Sequence, residues 1–416
     1  MIQKMVKQYL IALILLVSWV PAALSLIPYN MFEPYDVLIK PQRPAWRMFD
    51  FFVGYEGAVH TRGFMDDCDL TSCEHTKGNV LQLWQKEQNA LAAFKGFSPE
   101  SAIGQQAQLF NLNDDNLTHG HYIPCGTLHA QNLMFGAQFR IPHNITLAAY
   151  IPYRIASLTN VQWRQDPNDV VFESSISPDL ITTIEQLGHM NLRGWKRHGP
   201  GDLMLQAEYY FHRPQAKPYL RNVGIELRGG LLIPTGLQED SNKLAAFSFG
   251  NDGGAGILAA FRLELWFVHY LRFAIDAELL HMFGNKHCRR VKTDADQTDL
   301  LLLAKAPAFK EPGFRQHYTL WLDTIGWHGF TARVAYQYTR NNEDKYFICA
   351  EGFNPVIVNN AESLQDWTAH QLVFSTGYTW YCERFTPTLS VFGKYAFNGK
   401  RSILADTVGL TFGVAF

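Results

Sequence analysis

The sequence lacks a hydrophobic run, beyond its first residues, that is long enough for a helical membrane span. No window of about 18 consecutive apolar residues occurs after position 25. Charged residues are scarce as well, at 18% of the 416 residues, and the net charge is only −2. This near-neutral balance excludes the basic field that draws a protein to nucleic acid or to an anionic surface. No Pro/Ser-rich linker divides the chain, so we expect one folded unit.

Aromatic residues, by contrast, are abundant, at 14% of the chain within a 47% hydrophobic total. The mean hydropathy is nevertheless −0.12. That value is too polar for a bundle of membrane helices, but it suits a barrel in which half of each strand faces water.

The amino terminus has the pattern of a secretory signal peptide. An uncharged apolar stretch at 9–20 follows two lysines, and the small residues Ala23 and Ser25 come after it. We expect a signal peptide over 1–25, removed after Ser25, and a periplasmic segment over 26–46.

Period-two patterns recur throughout 47–416, with apolar residues at alternate positions and polar or small residues between them. At the end of the chain, for example, Leu410, Phe412 and Val414 alternate with Thr411 and Gly413. The pattern predicts an all-β protein, a transmembrane antiparallel up-and-down β-barrel of about 12 strands, within a range of 10–14. The predicted strands lie at 49–56, 133–140, 145–151, 203–212, 223–233, 257–267, 272–279, 317–323, 330–339, 372–380, 389–397 and 402–416.

The connections between these segments alternate in length. The short ones lie at 141–144, 213–220, 268–271, 326–329 and 382–385, and the long ones at 64–127, 159–200, 236–252, 285–312 and 344–365. Only the hairpin at 398–401 is short on the long side. Such alternation is typical of short periplasmic turns and long extracellular loops, with both termini in the periplasm. The first loop, 64–127, contains a helix-friendly stretch, which we expect either to cap or plug the lumen or to form a plain surface loop.

If the apolar face meets lipid, the polar face lines a pore. The predicted lining residues have nearly balanced charge, so they indicate weak ion selectivity and either an ion-pair network that braces the wall or a constriction that orients polar solutes. These residues are Glu56, Arg140, Arg154, Glu208, Glu226, Arg228, Arg262, Glu264, Arg272, Asp276, Glu278, Asp323 and Arg333.

The six cysteines suit an oxidising compartment. Cys68 and Cys73 share a polar loop, which favours a local disulfide; a metal site with His75 is the weaker alternative because no second ligand pair follows. Cys288 and Cys349 also fall in loops, where they could pair. We predict no metal and no cofactor.

The alternating strands, the signal peptide and the terminal Phe416 together resemble bacterial outer-membrane β-barrels. This resemblance implies that the barrel-assembly machinery recognises the terminal aromatic residue, as it does in that family. A narrower resemblance is to the transporter barrels linked to aromatic-compound degradation, which are relatives of the long-chain fatty-acid channels. It rests on the motifs at 199–203, 231–236 and 250–256, and it implies passage of hydrophobic molecules through a barrel with a luminal plug. The motifs alternatively mark only bends between strand and loop.

We therefore predict a bacterial outer-membrane channel, or porin, for passive diffusion of small solutes, including hydrophobic compounds. The alternative is a surface barrel whose long loops mediate adhesion or partner binding. An enzyme is the third reading, and we expect none, because His281 has no outward serine and asparagine partners. The expected partners are membrane lipid, lipopolysaccharide, the barrel-assembly machinery and small solutes, without nucleic acid; the oligomeric state is left open.

Overall fold

The computed structural model describes residues 48–65, 77–110, 120–167, 169, 180–267, 270–327 and 329–416. Twelve long strands dominate it. In chain order they are β1 (Phe49–Phe64), β2 (His121–Ile141), β3 (Ile145–Gln165), β4 (Leu203–Pro214), β5 (Leu220–Ile233), β6 (Gly256–Phe267), β7 (Leu271–Met282), β8 (Arg315–Trp327), β9 (Phe330–Asn341), β10 (Trp367–Thr379), β11 (Thr386–Lys400) and β12 (Ser402–Ala415).

The sheet closes on itself. Each of the twelve strands pairs antiparallel with its neighbours in chain order, and β1 pairs with both β2 and β12. Phe51, for example, lies opposite Ala137 on one side and Val414 on the other. Closure leaves no free edge in this ring, and the predicted up-and-down barrel of twelve strands is confirmed.

The connections differ sharply at the two ends of the barrel. At one end, called here the turn end, neighbouring strands are joined by short turns, and the first and last strands begin and finish there. The β2–β3 turn leaves three residues between the paired Ile141 and Ile145, and two of them, His143 and Asn144, adopt left-handed φ values of 73° and 64°. The opposite end, called the loop end, carries the long connections, as predicted.

The loop end contains additional regular structure. Three loop strands, Asn285–Arg290, Lys305–Glu311 and Lys345–Ile348, form a separate sheet, and Trp195–Pro200 pairs with β3. Two-residue strands lie at Lys77–Gly78 and Gln88–Asn89. Within the described residues the helices are α1 (Ala102–Leu109), α2 (Leu180–Gly188) and α3 (Pro355–Asn359), and 3₁₀ turns lie at Val80–Gln82, Ala92–Phe94, Asp299–Leu301 and Glu362–Leu364.

The two faces of the wall have opposite character. Outward residues are apolar and exposed, with Phe51 at 52% and Leu231 at 54% of full exposure. Inward positions are buried and mostly polar or small. This is the arrangement expected when lipid surrounds the wall. Among the described residues, no helix has the length and apolar character needed to cross a membrane.

An apolar core ties the loops together at the loop end. We call it the loop core: it comprises Leu81, Leu91, Phe94, Ile184, Leu192, Trp195, Leu244, Phe249, Leu301 and Leu303, among other residues. It packs against Leu128 and Leu158, which are buried inward positions of β2 and β3. Part of the first loop, at 80–94, therefore lies against the inner surface of these two strands.

Candidate functional site: the barrel interior

The structure places the predicted lining residues on the inner side of the wall. Twelve of the thirteen are buried, each at 5% exposure or less. The exception is Arg140, which lies at the turn end and donates to the Asp50 carboxylate at 3.3 Å. The burial agrees with the predicted inward direction, whereas a role as pore lining stays a prediction.

An extended polar cluster inside the barrel spans β5 to β9, and we call it the ion-pair network. It consists of Glu226, Arg228, Arg262, Glu264, Arg272, Asp276, Glu278, Asp323 and Arg333. The strand register determines which of these residues are in contact. Glu226 on β5 and Asp276 on β7 both lie directly opposite Arg262 on the strand between them, β6. Side chains directly opposite on one face of a sheet are within reach of each other.

One half of the network centres on Asp276. Arg228 donates from both terminal nitrogens to this carboxylate, each at 2.8 Å. Arg262 donates from Nε to Asp276, also at 2.8 Å, and pairs with Glu226 at 3.0 Å. The bidentate Arg228–Asp276 pair is the strong form of such a contact.

The other half of the network centres on Asp323, which is completely buried, at 0% exposure. Arg333 donates to it from Nε at 2.7 Å, and Arg272 donates from Nε at 3.1 Å. The Trp321 ring is in contact with two guanidiniums, with centroid distances of 4.7 Å to Arg262 and 4.5 Å to Arg333. Cation–π contacts of this kind are stronger when desolvated, so the tryptophan joins the two halves.

An apolar collar lines the interior beyond the network. On β4, β5 and β7 it occupies the inward positions nearest the loop end, on β6 it includes Leu258, which follows the inward Gly256, and it continues onto β1 to β3. Its members include Phe52, Met134, Tyr150, Met204, Leu232, Leu258, Leu280 and Met282. Sequence reasoning missed it, although one signal was available: the inward position closest to the long loop is apolar on β4, β5 and β7, and on β6 a glycine there is followed by an apolar inward position.

The arc from β10 to β12 presents several small hydroxyl side chains to the interior, together with the larger Phe392 and Lys394 of β11. This hydroxyl file comprises Ser375, Thr379, Thr388, Ser390, Thr407 and Thr411. These positions were outside the predicted lining set because they carry no charge. The interior thus combines a charged arc with a small, hydrogen-bonding arc.

The three glycine-rich motifs of the sequence meet around one carboxylate at the loop end. Asp202 accepts the backbone N–H of Gly236 at 2.9 Å through one oxygen and that of Asn251 through the other. Burial raises the pKa of the Asp202 carboxyl above its ordinary value, against the opposing effect of those two N–H groups and of the Arg154 charge. Asp202 therefore links the three motifs through hydrogen bonds where strands pass into loops. This arrangement is in keeping with the alternative that the motifs mark strand-to-loop bends.

The cysteine predictions have different outcomes. Cys68 and Cys73 lie outside the described residues, so their disulfide stays a prediction. Cys288 and Cys349 are unpaired and exposed. They lie on either side of Pro307 in the middle strand of the loop sheet. Two strand spacings, about 9–10 Å, exceed the Cα separation that a disulfide spans, so the suggested pairing is wrong.

No cluster of three or more histidine, cysteine or acidic side chains suited to a metal ion occurs within the described part of the chain. His281 is exposed on β7, beside Phe283 in an edge-on contact at 5.2 Å.

A closed antiparallel barrel with an apolar exterior, a polar interior and all long loops at one end is a transmembrane β-barrel of the bacterial outer-membrane type. No family model and no curated protein matches the sequence.

Solved structures with a similar fold include outer-membrane channels as well as other outer-membrane proteins, such as LpxR from Salmonella typhimurium. The COG4313 outer membrane channel from Pseudomonas putida F1 aligns with 93% of this chain and 100% of its own, at 9% identity and a TM-score of 0.49. The CymD monoaromatic hydrocarbon channel aligns over 89% and 88%, at 9% identity and 0.30. A Pseudomonas aeruginosa FadL homologue aligns over 89% of both chains, at 8% identity and 0.31. The fold assignment rests on the strand pairing of this chain itself.

Proposed function

We propose that the protein is an outer-membrane channel for passive diffusion of small solutes, including hydrophobic compounds. The observation that carries this proposal is the polar arc of small side chains, the hydroxyl file, which runs along β10 to β12 beside the ion-pair network. Hydroxyl groups can donate to and accept from a passing solute, and their side chains are smaller than the guanidiniums of the charged arc. The turn end then faces the periplasm and the loop end faces the outside.

The packing of the interior indicates a narrow path. The Arg228 side chain is 0% exposed, and the Arg333 side chain only 2%. Solutes therefore pass singly and are selected by size, and the ion-pair network itself favours neither sign of charge strongly because it contains almost as many guanidiniums as carboxylates.

A liposome-swelling assay with neutral sugars of increasing size tests this. Trp321→Ala removes the ring that joins the two halves of the network, and we expect faster swelling and a larger size limit. Tyr318→Ala, on the same strand but 39% exposed on the outer face, is the matched control and should leave swelling unchanged. Equal rates for the wild type, both variants and empty liposomes would contradict the proposal.

A second candidate function is a surface barrel whose loops bind a partner, and one observation favours it. The loop end carries exposed apolar side chains on ordered elements: Leu109 is 73%, Phe347 53% and Val356 77% exposed. Contiguous exposed apolar groups on a folded surface mark binding sites. The Phe347 ring has such a neighbour, since its centroid lies 6.4 Å from that of Phe309, which is 39% exposed. Comparing cell adherence of the wild type with that of Phe347→Ser separates the two functions, because this change lies far from the proposed path.

A further inference from the structure

Three polar residues stand side by side inside the barrel, apart from the ion-pair network. Glu56 on β1 lies directly opposite Asn132 on β2, and Asn132 lies directly opposite Arg154 on β3. They are 1%, 1% and 5% exposed. We call them the β1–β3 polar row.

The middle residue of the row has no hydrogen-bond partner. Both carboxamide atoms of Asn132 are buried and unpartnered among the described residues. A carboxamide offers two donor hydrogens and an acceptor oxygen, and buried polar groups in native proteins nearly always find partners. Asn132 therefore points to a molecule that supplies both kinds of partner.

Arg154 has no ion pair among the described residues, and its Nε has no hydrogen-bond partner. The two carboxylates whose charge bears on it are already engaged. Glu56 pairs with Lys394 at 3.3 Å and accepts the Thr407 hydroxyl at 2.8 Å. Asp202 accepts two backbone N–H groups. A buried guanidinium without a counter-charge is costly, so the site favours an anion.

The surroundings of the row are apolar on both sides. Along β2, Asn132 lies between Ala130, which belongs to the cluster that contains the loop core, and Met134 of the collar. Along β3, Ala156 belongs to the same cluster as Ala130, and Tyr150 of the collar lies toward the turn end. A ligand that pairs with Arg154 therefore rests its remaining atoms against apolar side chains.

We propose that the β1–β3 polar row binds the carboxylate group of a small aromatic or aliphatic acid. The Arg154 guanidinium pairs with the carboxylate, and Asn132 Nδ2 donates to it. Asn132 Oδ1 and the second oxygen of Glu56, which has no partner among the described residues, accept from a hydroxyl group or water that accompanies the acid. This inference rests on the proposed channel function and names one class of solute for it.

Calorimetric titration of the purified full-length barrel in detergent micelles, with benzoate as the probe, tests the site. We expect Arg154→Met and Asn132→Leu each to weaken benzoate binding at least tenfold, and Arg154→Lys to weaken it less, because the charge remains but the fork of donors is lost. Arg140→Met removes an inward arginine of β2 at the turn end and should leave binding unchanged. Altered mobility of unheated samples on a denaturing gel identifies any variant that fails to fold.

Comparison ligands distinguish the chemistry. Benzamide and toluene, which lack the charge, should bind at least tenfold more weakly than benzoate, and chloride should not compete at equal concentration. Equal benzoate affinity in the wild type and Arg154→Met would overturn the proposal, as would an Asn132→Leu barrel that binds benzoate normally, since Asn132 would then hold only water. If neutral sugars swell liposomes but benzoate does not bind, the channel stands and this site fails. If benzoate binds but no solute crosses, the site stands and the channel function fails.

Discussion

At the scale of single residues, the ion-pair network depends on charges that are buried and mutually compensated. Asp323 is the clearest case, because one carboxylate accepts from two arginines, Arg272 and Arg333. Replacing both members of such a pair by apolar groups can leave the stability unchanged, whereas removing one member leaves the other charge buried without a partner. The network is therefore sensitive to loss of its central carboxylate.

Asp323→Asn should destabilise the barrel by about 3 kcal/mol or more, because two buried guanidiniums lose their shared counter-charge. Urea unfolding followed by tryptophan fluorescence measures this loss. Glu343→Gln is the matched control, since Glu343 pairs with Lys345 at 3.0 Å while both side chains are more than half exposed; such surface pairs contribute about 0–1 kcal/mol. Equal effects of the two substitutions would contradict the network as a buried structural unit.

Glycine at position 136 permits the close approach of an aromatic ring. A Cβ built there would lie 2.2 Å from the Phe52 ring. Gly136→Ala should therefore cost about 1–3 kcal/mol through overpacking, measured by the same urea titration. Phe52→Leu in the same chain should recover part of it. Gly229→Ala, where a Cβ meets nothing within 4 Å, should be harmless, and a similar loss there would disprove the packing explanation.

At the scale of elements, the loop end is stabilised by hydrogen bonds between its connections as well as by the loop core. Asp202→Ala removes two charged hydrogen bonds, each contributing about 1.5–3 kcal/mol, so we expect the connection at 234–252 to be cut at least tenfold faster by proteinase K. Asp202→Asn keeps one acceptor oxygen and should give an intermediate rate. Unchanged cutting in both variants would mean that Asp202 does not fasten the loops.

The exposed cysteines report which end of the barrel faces outward. Cys288 and Cys349 lie at the loop end, and Cys382 lies in a short connection at the turn end. In single-cysteine versions, a membrane-impermeant maleimide should label Cys288 in intact cells and Cys382 only after permeabilisation. The reverse pattern would invert the proposed orientation.

The strands were predictable because a barrel wall between lipid and a polar lumen requires apolar and polar side chains to alternate along each strand. Since the barrel is closed, every strand has this same pattern. The loop sheet was not, since Asn285–Arg290 and Lys305–Glu311 are short and gain their stability from partners distant in sequence. The contacts of the β1–β3 polar row likewise depend on register across three strands: Glu56 and Arg154 were predicted to face inward, but nothing in the sequence indicated that Asn132 lies between them without a partner.

At the scale of the whole molecule, charge and packing make separate predictions about transport. The network and the row together hold nearly equal numbers of buried cations and anions. We therefore expect a permeability ratio of K⁺ to Cl⁻ close to one in reversal-potential measurements across a KCl gradient. Strong selectivity for either ion would show that part of the interior charge is not compensated as the structure indicates.

The central claim is that the side-chain-lined interior is a path for small solutes, and single-channel recording of the refolded wild-type protein in planar bilayers with KCl tests it most directly. The account predicts stable, discrete open steps of low conductance, because the ion-pair network narrows the lumen while the hydroxyl file keeps a polar route beside it. A barrel that is heat-modifiable and inserts into the bilayer, but carries no current at any voltage, would contradict the account.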